Sequence, residues 1–146
     1  MTLLQRFLIS ACLFIASTAT HAEQQDIGDY TVHYIAVNST FLTPAIAQQY
    51  DIVRSERRAF INISVLRNND DGSTTPVTAV LNGSLNNLLQ QSTPLAFKEI
   101  HEGDAIYYLG QFDFSNAELL RFSVEVQPEG TGPAYTIEWQ TQLYMN

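Results

Sequence analysis

Cysteine is all but missing from this chain. Of its 146 residues only Cys12 carries a thiol, which excludes a disulfide framework. Positive charge is scarce as well: seven Lys and Arg stand against fifteen Asp and Glu. That balance argues against nucleic acid and anionic lipid as partners, because both repel an acidic surface. No apolar run approaches the roughly 20 residues of a membrane-spanning helix. No serine sits in a Gly-x-Ser-x-Gly elbow, and past the N-terminal segment there is no cysteine to act as a nucleophile. Met145 is the only methionine besides those of the start, Met1, so copper would lack a second soft ligand. No cofactor is expected.

What the N-terminus does contain is an export signal. Met1–Arg6 supplies a basic start, Phe7–Ala16 a short apolar centre, and Ser17–Ala22 a small-residue end, the three parts of a cleavable secretory peptide. Cleavage is expected after Ala22, leaving Thr20 and Ala22 in the peptidase pocket. Cys12 follows Ile9-Ser-Ala11 as in a lipoprotein box, but Leu13–Ala16 continues the apolar centre where a tether would turn polar. It reads as signal filling. Residues 23–146 then form one domain with one core. Losing Arg6 leaves six basic residues against fifteen acidic ones, a formal charge of −9.

The remaining chain is rich in Tyr, Phe, Val and Ile and is punctuated by Asn, Asp and Gly, which is strand-and-turn composition. In Leu120–Pro128, Phe122, Val124 and Val126 alternate with Arg121, Ser123, Glu125 and Gln127. In Ala134–Tyr144, Tyr135, Ile137, Trp139 and Leu143 alternate with Thr136, Glu138, Gln140 and Gln142. Period two marks strands with one face on a core and one in water. Pro128–Pro133 turns one into the other. The same pattern predicts strands at Tyr30–Val37, Arg58–Arg67, Thr75–Asn82, Leu95–His101 and Ala105–Phe112. Thr43-Pro44 begins a short helix through Tyr50, with a capping hydroxyl and proline in the first turn. Ser84–Gln91 reads as a helical turn or a loop.

About seven strands in this length predict an all-β, two-layer antiparallel sandwich. Its core should hold Val32, Tyr34, Ile61, Ile63, Val65, Phe122, Val124, Val126, Ile137 and Trp139. Gly103–Leu109 resembles the tyrosine-bearing strand of immunoglobulin domains, which suggests an immunoglobulin-like form. There Tyr107 would be the tyrosine that bonds back to the backbone, with Leu109 in place of the cysteine.

Two clusters bear on function. Glu99, His101, Glu102 and Asp104 are the densest set of metal-ligand types, and Glu99, His101 and Asp104, carboxylates with one imidazole, are the candidates for a divalent ion. They equally suit a polar strand end entering a turn, where acids collect. His33 and His101 are the only histidines after the signal, and nothing selects either as a base. Fifteen acids offer many pairs for a carboxylate-dependent hydrolase, and again nothing selects one. The second cluster lies in the long non-strand excursion from Asn38 to Arg58. It opens with Asn38-Ser-Thr40 and holds three of the six basic residues, Arg54, Arg57 and Arg58. Those five residues, Asn38, Thr40, Arg54, Arg57 and Arg58, suit an acidic partner protein or a small anionic ligand. The competing reading pairs the arginines with Asp51, Glu56 and other acids.

Tyr30–Pro44, Asn62–Leu66, Glu99–Tyr108 and Gln142–Tyr144 together resemble an uncharacterised family of exported Gram-negative proteins, catalogued as domain of unknown function 4426. The resemblance covers nearly all of the chain after the signal. It implies a periplasmic setting and carries over no functional residue. The expectation is therefore an exported, non-enzymatic binding or accessory module, with divalent-metal handling and carboxylate hydrolysis as the alternatives.

Overall fold

The structure is a computed structural model that describes residues 22–146. The expected signal peptide up to His21, Cys12 included, lies outside the described residues.

Ten strands and one short α-helix are present among the described residues. In chain order they are β1 (Glu23–Ile27), β2 (Tyr30–Asn38), α1 (Pro44–Gln49), β3 (Arg58–Asn68), β4 (Thr74–Val77), β5 (Ala79–Asn86), β6 (Ser92–Leu95), β7 (Phe97–Glu102), β8 (Ala105–Asp113), β9 (Glu118–Pro128) and β10 (Tyr135–Leu143). They form two antiparallel sheets. One runs β1-β2-β3-β8-β7, with β4 also paired to β3, and the other runs β10-β9-β5-β6. The long strand β3 serves two partners in turn. Arg58–Ile63 pairs with β8, and Val65–Asn68 pairs with β4.

Ten strands replace the expected seven for two physical reasons. Thr75–Asn82 and Leu95–His101 each read as one strand, but each crosses from one sheet to the other at a single residue. Thr78 separates β4 in the first sheet from β5 in the second, and Ala96 returns the chain from β6 to β7. Side-chain alternation continues through such a corner, so the sequence does not mark it. The extra strand β1, Glu-Gln-Gln-Asp-Ile, is exposed at four of five positions and carries no apolar period to read. Ser84–Gln91 is strand as far as Asn86, and a turn held by the Asn87 side chain follows.

The core lies between the sheets. Nine of the ten residues expected there are buried, and Trp139 packs against them partly exposed. Its ring stacks on Phe122 of its own sheet at 4.9 Å and meets Tyr34 of the other at 4.4 Å. Phe122 in turn meets Phe112 edge-on. Aromatic contacts of this kind add directional preference to area burial.

A second, smaller cluster sits on the opposite face of the first sheet. Ala47, Ile52 and Phe60 are buried there, with Val37, Leu42, Tyr50 and Leu109 packed around them. Ile61 and Ile63 of β3 face the main core, so Phe60 and Asn62 face this outer cluster. The excursion between β2 and β3 thus covers part of a sheet face that would otherwise meet water.

Candidate functional site

The helix of the excursion starts as its sequence dictates. Thr43 caps it, its hydroxyl accepting the Ile46 N–H at 3.3 Å, and Pro44 occupies the first turn. It stops in a Schellman motif. Ile52 N–H donates to Ala47 O at 2.8 Å and Asp51 N–H to Gln48 O at 3.3 Å, with Asp51 left-handed at φ 55°. The apolar pair that closes such a motif is Ala47 and Ile52, both buried.

Side chains then fasten the excursion to the sheet. Ser39 is fully buried, and its hydroxyl accepts Ser55 N–H and donates to Ser55 O, both at 2.9 Å. Gln111 on β8 does the same for the return leg, accepting from Val53 N–H at 3.0 Å and donating to Asp51 O at 2.9 Å. Lys98 of β7 donates to Asp51 at 2.8 Å, which holds the Asp51 carboxyl below the usual carboxylate range.

Between the helix and the sheet an apolar groove of about 350 Å³ remains open. Leu42, Ile46 and Ile52 form one wall, and Ile100 and Leu109 of the sheet the other, with Val37 and Phe60 beneath. Its polar groups are few. Asn62 lies in the floor, and its Oδ1 is buried with no hydrogen-bond partner. At one end Tyr50 donates its hydroxyl to Glu102 at 2.9 Å. Tyr50 is raised above the usual phenol range by that bond, then by burial, the Glu102 charge and the neighbouring Tyr107. Glu102 is the one carboxylate in the lining, and neither histidine, lysine, arginine nor serine contributes to it.

The residues expected to bind an anion are placed otherwise. Asn38 is buried and donates its amide to Tyr144 O at 2.6 Å. Arg54 turns back on the excursion, donating to Leu42 O at 2.8 Å and Thr40 O at 3.3 Å. Thr40 thus enters through its carbonyl. Arg57 lines a separate cleft with Asp113 and Glu118, and Arg58 lies 3.7 Å from Asp113. Arg54 is thus directed away from the other two, the acid beside Arg57 and Arg58 is Asp113, and Asp51 pairs with Lys98.

Of the metal-ligand types, two come together. Glu99 Oε2 lies 3.1 Å from His101 Nε2, while Asp104 is exposed at the tip of the β7–β8 turn. Among the described residues no group of three or more His, Cys, Asp or Glu could hold a metal. The other partner of Glu99 is Tyr108, whose hydroxyl donates to Oε1 and accepts the N–H of Ala79 at 2.8 Å. The tyrosine that reaches back to backbone is therefore Tyr108, and Tyr107 faces the groove.

The sequence profile of a domain of unknown function, DUF4426, matches residues 24–146. The chain belongs to the DUF4426 family. The solved structure of another DUF4426 family protein, from Pseudomonas aeruginosa, is similar at 34% identity and TM-score 0.73, over 86% of this chain and 96% of that one. Two structures of FetP from uropathogenic Escherichia coli share the fold at 8% identity. One is the protein as isolated after periplasmic expression, with TM-score 0.62 over 86% of this chain and 95% of that one. The other is a copper-bound variant, with TM-score 0.60 over 86% and 91%. No curated protein matched. No helix among the described residues is long and apolar enough to cross a membrane.

Around Glu99 and His101 the described residues bring together one oxygen and one nitrogen ligand, with Asp104 standing apart and Met145 the one methionine among the described residues.

The groove residues carried a readable signal that pairing with the core concealed. Ala59-Phe-Ile61 and Ala105–Leu109 are continuous apolar runs, and such runs mark strands covered on both faces. A half-exposed strand would alternate there.

Proposed function

We propose that the chain is an exported, periplasmic, non-enzymatic binding module that takes its ligand in the groove beneath the Asn38–Arg58 excursion. The observation that carries this reading is the groove itself. Its volume falls in the roughly 300–1,000 Å³ range of small-molecule sites, mostly apolar with a few placed polar groups. In its floor a buried Asn62 oxygen has no partner, which costs stability unless a ligand supplies a donor. The fastening by Ser39, Gln111 and Lys98 supports a pre-formed site. An immunoglobulin-like sandwich uses its connections for recognition, and here the longest connection walls the groove. The signal-like N-terminus, and a fold shared with a protein expressed in the periplasm, support export.

Hydrolysis by paired carboxylates has less support, since Glu102 stands alone in the lining. The test uses N-phenyl-1-naphthylamine, a neutral apolar fluorophore. Residues 23–146 should bind it saturably at one site. Ile46→Glu, at an exposed rim position, should weaken it about tenfold or more by placing a charge against the apolar wall, with the melting temperature unchanged. Unsaturable binding, or equal binding by the variant, would reject the groove.

A further inference from the structure

On the reading of the groove as a binding site, its lining also selects a ligand class. We infer that the groove takes a small apolar amine, with its hydrocarbon body between helix and sheet and its ammonium at Glu102, flanked by Tyr50 and Tyr107. Four polar side chains line the groove: Asn62, Tyr50, Tyr107 and Glu102. Only the carboxylate among them is charged. The Tyr50 hydroxyl, already donating to Glu102, offers its lone pairs to an incoming N–H, and the buried Asn62 oxygen is a further acceptor. No cationic side chain competes for Glu102 within the lining. The nearest base on that face of β7, Lys98, is paired with Asp51 at 2.8 Å.

An ammonium is the group such a set recognises. A carboxylate provides the charge-assisted bond, and two phenol rings provide faces for a cation. A carboxylate or phosphate ligand would meet Glu102 with no compensating base, in a chain of formal charge −9 beyond the signal. The attraction would extend past contact, since like and unlike ligands are sorted by the field before they dock.

Three probes of nearly one shape separate the possibilities: n-hexylamine, n-hexanol and n-hexanoate, titrated by amide chemical-shift changes on residues 23–146. Hexylamine should bind about tenfold tighter than hexanol and tighter still than hexanoate, with shifts at Ile46, Ile100 and Leu109. Glu102→Gln, at an exposed position, should erase the preference for the amine while hexanol binding stays as it was. Tyr107→Leu keeps the apolar wall and should cost the amine several-fold but not the alcohol. Equal binding of amine and alcohol, or a preference that survives Glu102→Gln, would overturn the amine assignment and leave the groove a binding site. Failure of all three probes to shift the groove would overturn both.

Discussion

The hydroxyl of Tyr108 bridges two sheets. It sits on β8 in the first sheet, accepts the N–H of Ala79 at the start of β5 in the second, and donates to Glu99 on β7. Burial, then the bond to Glu99, pushes Tyr108 up to about 12. A raised phenol stabilises the fold fully below its unfolded value of 10.0 and loses that contribution as pH rises toward 12. Glu99 is lowered, first by the Tyr108 bond and then by His101, so its share is present above its unfolded value and fades as pH falls through the folded one. Tyr108→Phe should therefore cost about 1–3 kcal/mol at neutral pH, leaving the Ala79 N–H without an acceptor. In urea melts from pH 9 to 12, the variant should lose less stability on the alkaline side than the wild type. Equal alkaline slopes would show that the bridge contributes nothing to folding. The sequence placed this role on Tyr107, one residue away. On a strand that step is the difference between core face and outer face, and nothing in Tyr107-Tyr108 favours one register over the other.

At the level of elements, one aromatic ring sits beside the corner at Ala96 and reaches both sheets. Phe97 opens β7 directly after the crossing at Ala96, and its ring lies between Gly110 of β8 and Gly83 of β5. A Cβ on Gly110 would meet Phe97 at 3.2 Å and Ile61 at 3.4 Å. One on Gly83 would meet Val124 at 3.0 Å and the Ser123 carbonyl at 3.2 Å, and backbone moves less readily than a ring. Both alanine variants should be destabilised by about 1–3 kcal/mol, as over-packed cores are, with Gly83→Ala the worse. Thermal melts of the two decide the order, and a neutral Gly83→Ala would refute the wedge. Gly110 falls in a segment read correctly as strand and Gly83 between the strand read to Asn82 and the turn or loop read from Ser84, and the purpose of both is invisible without the partner ring. The alternating strands β9 and β10 and the capped helix were legible because local pattern alone specifies them. The corners and β1 were not, since each depends on what lies across from it, and the groove showed only as the apolar runs Ala59-Phe-Ile61 and Ala105–Leu109. The arginines show the same limit: sequence supplies three guanidiniums, but only the fold turns Arg54 toward carbonyls and Arg58 toward Asp113.

On the scale of the whole molecule, the chain passes between sheets twice through single residues, Thr78 and Ala96. Neither sheet can leave the other without breaking β4–β5 and β6–β7, and in each sheet one central pairing, β3–β8 or β5–β9, joins strands distant in sequence. The two sheets should therefore unfold as one unit, more slowly formed than a helical bundle of this size because those two pairings are non-local. Trp139 is the natural probe, since its ring meets Tyr34 across the interface and Phe122 within its own sheet. Far-UV circular dichroism reports the strands themselves. For residues 23–146, urea curves from tryptophan fluorescence and circular dichroism should coincide. They should be unchanged by dithiothreitol, because no cysteine follows Cys12 and packing alone holds the fold. Fluorescence moving at lower urea than circular dichroism would mean that the sheets part before they melt, and the corners would then be hinges instead of staples.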